Sequence, residues 1–143
     1  GGGTGTTTLF NKTSGFGAGF INSTTFTDVT GTLTFTSATA NLSANLTFAP
    51  VVPGPGSWTV ELKWQQLISG TWTDLTTPSP TVQSGVTDVY GASDGDPAGS
   101  DNATITNNKT LSGLSGTISV RCVARLTSGT KQHNISGFVN GTA

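Results

Sequence analysis

The chain is short of charge. Asp, Glu, Lys and Arg make up only 9% of its residues, against about 25% in ordinary soluble domains, and the formal net charge is −1. The six basic residues, Lys12, Lys63, Lys109, Arg121, Arg125 and Lys131, are scattered. They give no electrostatic footprint for a polyanion, which argues against nucleic acid as a partner. Long apolar runs are missing too. Nothing approaches the roughly 18 consecutive apolar residues of a membrane-spanning helix, so no membrane span is expected. A single cysteine, Cys122, excludes an internal disulfide framework and leaves the redox compartment open. Methionine is absent and the chain opens Gly1-Gly2-Gly3. This start is read as processed or trimmed, with removal of a secretory leader or loss of an initiator Met before glycine as the routes.

In place of charge the chain carries hydroxyls: Thr and Ser together fill 43 of its 143 positions, and Gly another 20. Solubility therefore rests on hydroxyls and amides, or on groups attached to them. The length suits one domain, since β-sandwiches need roughly 100 residues.

The strongest pattern is period-two alternation, which places every second side chain on one face of a sheet. Over 41–48, Leu42, Ala44, Leu46 and Phe48 alternate with Asn41, Ser43, Asn45 and Thr47. Over 58–64, Trp58, Val60, Leu62 and Trp64 alternate with Thr59, Glu61 and Lys63. Over 117–126, Ile118, Val120, Cys122 and Ala124 face one way. Shorter strands are expected over 32–35 and 86–90. Ser69-Gly70 is read as a hairpin turn, and Ser128-Gly129 as the turn of a closing hairpin whose last strand shares a face among His133, Ile135, Gly137 and Val139. The segments 50–56, 78–80 and 91–101 are rich in Pro, Gly and Asp and read as loops. No window shows helical spacing, and the fold class is all-β: an antiparallel β-sandwich of about seven to nine strands.

Residues 1–28 differ. They are Gly-rich and carry Leu9, Phe10, Phe16, Phe20 and Phe26 without steady alternation. They are expected to form an N-terminal arm, with room for one strand over 6–11, that leaves the sandwich of 29–143 and adds a strand to a neighbouring copy. The opposing expectation is a first strand folded back on its own sheet.

The run from Trp58 through Trp64, Leu67, Gly70 and Trp72 to Leu75 resembles the central hairpin of immunoglobulin-like and fibronectin-type-III-like domains. The run from Leu111 through Leu114, Gly116, Ile118 and Val120 to Cys122 is similar to the corner and penultimate strand of the same folds. The resemblance covers about residues 30–140 and implies an immunoglobulin-like sandwich, with Trp64 as its buried tryptophan and Cys122 at the position of the second disulfide cysteine. Two departures stand out. No Cys lies near Leu46 or Phe48 to pair with Cys122, and Ile118 or Val120 stands where a corner tyrosine belongs. The resemblance is architectural and implies no particular task.

Several groups invite a chemical reading. Nine Asn occur and eight begin an Asn-X-Ser/Thr sequon: Asn11, Asn22, Asn41, Asn45, Asn102, Asn108, Asn134 and Asn140. With hydroxyls this common, chance gives about three. N-linked glycans account for the excess; so does a rule that outward strand positions are simply Thr, Ser or Asn. Asp94, Asp96 and Asp101 form the one acidic cluster, but their spacing matches no EF-hand loop, and a solvated loop is preferred to a Ca²⁺ site. Cys122 and His133 both take the inward phase, so an inert thiol and a sheet histidine are preferred to a nucleophile and its base. The glycines of 15–19 lack the lysine and following helix of a phosphate loop. Trp72 and Tyr90 are the two rings available to stack on a sugar, weighed against core or interface packing.

These features point away from an enzyme, with no cofactor beyond glycans. The expected role is a structural subunit of an extracellular assembly, a filament or pilus on a cell surface or a virion surface. Its partners are copies of itself, joined through the arm. The rival is a carbohydrate-binding or adhesin module whose partner is a host-surface glycan.

Overall fold

A computed structural model describes residues 7–16, 24–51, 58–75, 89–94, 102–128 and 132–143. Ten strands and no helix occur among them: β1 (Thr8–Lys12), β2 (Thr27–Asp28), β3 (Leu33–Thr36), β4 (Ala40–Pro50), β5 (Trp58–Ile68), β6 (Thr71–Asp74), β7 (Val89–Asp94), β8 (Ala103–Leu111), β9 (Thr117–Ser128) and β10 (His133–Thr142). All pairings are antiparallel. One sheet has the order β1-β10-β4-β8. The other has the order β2-β9-β5-β6, with β3 also on β9 and β7 also on β5. The all-β antiparallel sandwich expected from the alternation is the observed architecture.

Alternation produces the core directly. Leu42, Ala44, Leu46 and Phe48 of β4 are fully buried against Val60, Leu62 and Trp64 of β5 and Val120, Cys122 and Ala124 of β9. Burying a Leu, Val or Phe side chain stabilises by about 1.5–3 kcal/mol each. The β5–β6 hairpin turns on Ser69 and Gly70, both at positive φ (52° and 80°), the backbone of a two-residue type I′ turn. Ser69 is the one non-glycine residue at positive φ among those described.

The connectivity departs from the immunoglobulin order, in which the last two strands share a sheet. The proposed closing hairpin does not form: β9 and β10 lie in different sheets. The reason is edge occupancy. One edge of β9 is taken by β5 and the other by β2 and β3, so β10 fits instead into the gap between β1 and β4. Setting aside the short β2 and β6, first pairs with last (β1–β10), second with second-last (β3–β9), third with third-last (β4–β8) and the middle two with each other (β5–β7). A ribbon of paired strands wound over two sheets in this way has the strand order of a jelly roll.

In the described part of residues 1–28, the first strand lies on its own sheet. β1 pairs with β10 of its own chain, and Thr7 and Ala143 exchange two backbone hydrogen bonds at the end of that ladder (3.1 and 2.8 Å). Gly141 leaves room for the Phe10 ring, which a Cβ there would strike, and Phe10 lies 5.9 Å from Phe35 of β3. Phe16 is buried in the core, and Leu9 packs against it. A sandwich built from two sheets has open sides, and Phe10 and Phe16 of the arm pack against the core of their own chain. Phe20 lies outside the described residues.

Strand β8 was not anticipated, and it carries the link between the sheets. The Trp64 indole Nε1 of β5 donates to the Asn107 backbone oxygen (2.8 Å), and Asn107 Nδ2 donates to the Leu62 oxygen (2.9 Å). Trp64, Asn107 and Leu62 are all fully buried. At the other edge, Asp28 Oδ1 accepts from the Thr30 and Gly31 amides (3.1 and 2.8 Å), and Thr30 Oγ1 in turn accepts from the Cys122 amide (2.9 Å). A side-chain oxygen thus continues the β9 ladder where β2 and β3 are interrupted.

Two outcomes test this packing. Phe16→Ala is expected to destabilise the isolated chain by about 3 kcal/mol in denaturant melts, whereas an arm that left the sandwich would give no change. Asn107→Leu and Trp64→Phe are each expected to lower stability by about 1–3 kcal/mol, because a buried carbonyl loses its donor. Their double variant should lose less than the sum, since the two bonds join the same pair of strands.

Candidate functional site

The two sheets present chemically opposite outer faces. On the four-stranded sheet, the strands cross so that outward positions form rows. One row runs Asn11, Asn140, Ser43, Asn108 across β1, β10, β4 and β8. The next runs Thr8, Thr142, Asn41, Thr110, and on the other side come Phe138, Asn45, Thr106 and then Ser136, Thr47, Thr104. No ionisable side chain occupies these rows. The charged residues of the same strands, Lys12 and Lys109, and the imidazole of His133 take the inward phase, and Lys109 and His133 are buried. Cross-strand hydrogen bonds tie the rows: Thr47 Oγ1 to Thr104 Oγ1 at 2.9 Å, and Thr110 Oγ1 donating to Asn41 Oδ1 at 3.2 Å.

The outer face of the other sheet holds ion pairs and rings. Lys63 meets Asp74 (2.9 Å), Arg125 meets Glu61 (2.9 Å) and Arg121 meets Asp28 (3.7 Å). Phe26 lies against both Lys63 and Arg125, 4.0 and 4.5 Å from its centroid, and Arg121 stacks 4.3 Å over Trp72. Gln65 joins the network, donating to Asp74 (2.8 Å) and accepting from Arg121 (2.9 Å). Partial burial pushes the Asp74 carboxyl up, but the Gln65 hydrogen bond and the bond and charge of Lys63 together outweigh it and hold the group below its usual range. Each cation here already has an opposite charge, a ring or both, so the face is neutralised within itself. At its far end the β5–β6 hairpin exposes Leu67 and Ile68.

No known protein family and no curated protein matches this chain. Its function has to be read from these two faces.

The residues singled out in the sequence fall as follows. Asn41, Asn45, Asn108, Asn134, Asn140 and Asn11 lie on the outer face of the four-stranded sheet, and Asn102 immediately precedes β8 in the same phase. Five of these are exposed, while Asn45 and Asn140 are half-buried. Asn22 lies outside the described residues. Trp72 is half-buried, with one ring face taken by Arg121. Tyr90 pairs with Leu62 through its backbone in β7, and its side chain lies outside the described set. Asp94 ends β7; Asp96 and Asp101 are outside the described residues, as are Thr81 to Asp88, so the earlier part of the strand expected over 86–90 is not described. Cys122 and His133 sit in different sheets, both fully buried.

What the sequence did not show is that the sequons share one sheet. The signal was present in part: Asn41 and Asn45 are in phase with Ser43 and Thr47. The rows themselves follow only from strand order.

Cys122 is a free thiol in the β9 core. Burial pushes its pKa well up, with the Asp28 charge adding to the effect. The neutral thiol is therefore the folded form. Its contribution to stability is fully present below the ordinary thiol pKa of roughly 8.5 and is lost as pH rises above it, because only the unfolded chain then ionises. Native thiol labelling is expected to be silent and to appear on unfolding. Cys122→Ala should flatten the alkaline fall in stability, measured as denaturant midpoint against pH.

Proposed function

We propose that this chain is a non-enzymatic structural subunit of an extracellular assembly, a filament or a virion surface, built from copies of itself. The observation that carries the reading is the division between the two outer faces. One is a broad uncharged wall of amides and hydroxyls, interrupted by the exposed Phe138. The other gathers arginine, tryptophan and phenylalanine, the residue types enriched at protein interfaces, beside the exposed Leu67 and Ile68. The jelly-roll strand order supports the same role by analogy, since capsid domains use it among other tasks.

On this reading, neighbouring copies meet through the face bearing Phe26 and Trp72 and through the β5–β6 hairpin. Of the arm's aromatics, Phe26 lies on this face, while Phe10 and Phe16 pack within the chain. Native material viewed by electron microscopy is expected to show regular particles or filaments. Leu67→Lys with Ile68→Lys should shift the sedimenting species towards monomer while leaving the unfolding midpoint nearly unchanged, because both side chains are exposed. Native material that is monomeric at high concentration and shows no assembled form would overturn the reading.

A further inference from the structure

We infer that the outer face of the four-stranded sheet is an N-glycan-bearing surface that stays turned to solvent in the assembly. This rests on the extracellular placement proposed above and adds the modification, its sites and the orientation of the subunit. Seven of the eight sequons begin at described residues, 11, 41, 45, 102, 108, 134 and 140, spread along the chain, and Asn22 lies outside them. Among the described residues they occur only on strands of one sheet or immediately before one, and none begins in β2, β3, β5, β6, β7 or β9 of the other.

A rule that outward positions are merely Thr, Ser or Asn does not produce this. The six-stranded sheet also has outward hydroxyls, Thr34 and Thr36 on β3 and Ser119 on β9, yet no asparagine stands in its described strands. Hydroxyls are shared between the faces; among the described residues, asparagine followed by a hydroxyl two residues on is confined to one.

The local geometry suits the chemistry. In a strand, residues i and i+2 project from the same face about 7 Å apart, so each acceptor and its hydroxyl stand side by side in the open. At Asn41, Oδ1 accepts from Thr110, and that bond leaves Nδ2, the atom that carries the sugar, unengaged. In the transfer itself Nδ2 forms a bond to the anomeric carbon of an oligosaccharide activated as a lipid-linked glycosyl pyrophosphate. The bond from that carbon to the pyrophosphate oxygen breaks, Nδ2 gives up a proton, and the lipid pyrophosphate leaves. The absence of ionisable groups from the rows means that a glycan added there disrupts no ion pair, whereas the opposite face would lose three.

The test uses native material. Glycans are released with an amidase in heavy-oxygen water, which marks each formerly occupied Asn as a labelled Asp for peptide mass spectrometry. Label is expected at the exposed Asn11, Asn41, Asn102, Asn108 and Asn134. Release from the intact assembly should return the chain to its polypeptide mass with one labelled Asp in place of each formerly occupied Asn, without dissociating the particles. A native chain with only the bare mass, or sugar found only on Ser and Thr, or glycans that the amidase reaches only after disassembly, would each overturn the inference. None of these outcomes touches the self-assembly itself, which the microscopy reads separately.

Discussion

The two sheets are held in register by one buried exchange: Trp64 reaches across to the backbone of Asn107, and the Asn107 amide reaches back to Leu62. Apolar burial alone is non-directional, so two flat faces of Leu, Val and Phe could slide by a residue pair with little loss. A paired donor and acceptor in a water-free core removes that freedom, because any other alignment leaves a buried polar group unmet at about 1–3 kcal/mol. The exchange also fixes β8, which is otherwise held along one edge by β4 alone. Once β8 is set, the rows on the far side of the four-stranded sheet are set with it.

From that alignment follows the separation of polar chemistry. The described cations of the six-stranded sheet meet their carboxylates and rings on its outer face, where partial exposure keeps the desolvation penalty low. Gln65 serves both Asp74 and Arg121, so the Lys63–Asp74 and Arg121–Asp28 pairs are joined, and Phe26 lies between Lys63 and Arg125 of the third pair. The four-stranded sheet reaches solubility by another route, through neutral hydrogen-bonding groups. A surface of that kind is insensitive to salt and pH, unlike its charged counterpart, whose pairs weaken as ionic strength rises.

Much of the fold was legible from alternation, and the misses have physical causes. β4, β5 and β9 were readable because their inward positions are uniformly apolar. β8 was hidden because two of its inward positions are Asn107 and Lys109, which break the pattern although both are buried. The Ser69-Gly70 turn was readable because a two-residue loop joins strands that must pair. Ser128-Gly129 looked similar, but pairing there depends on whether β9 has a free edge, and that is decided by β2 and β3 nearly a hundred residues earlier in the chain. The packing of Phe10 and Phe16 was hidden for a related reason. Phe10 and Phe16 looked surplus to a core counted strand by strand, but a sandwich also has to close its sides, which such a count omits.

The candidate surface shows the same limit from the other direction. A sequon is a local motif, and eight of them in a Thr-rich chain carry little meaning until strand order is known. Jelly-roll winding takes strands from both ends and the middle of the chain and lays them side by side, so that Asn11, Asn140 and Asn108 come into one row. The converse is what gives the row weight. Because neighbouring strands in the sheet are distant in sequence, no local bias in composition can concentrate a motif on one face. Among the described residues, the motif lies on one side while threonine and serine lie on both.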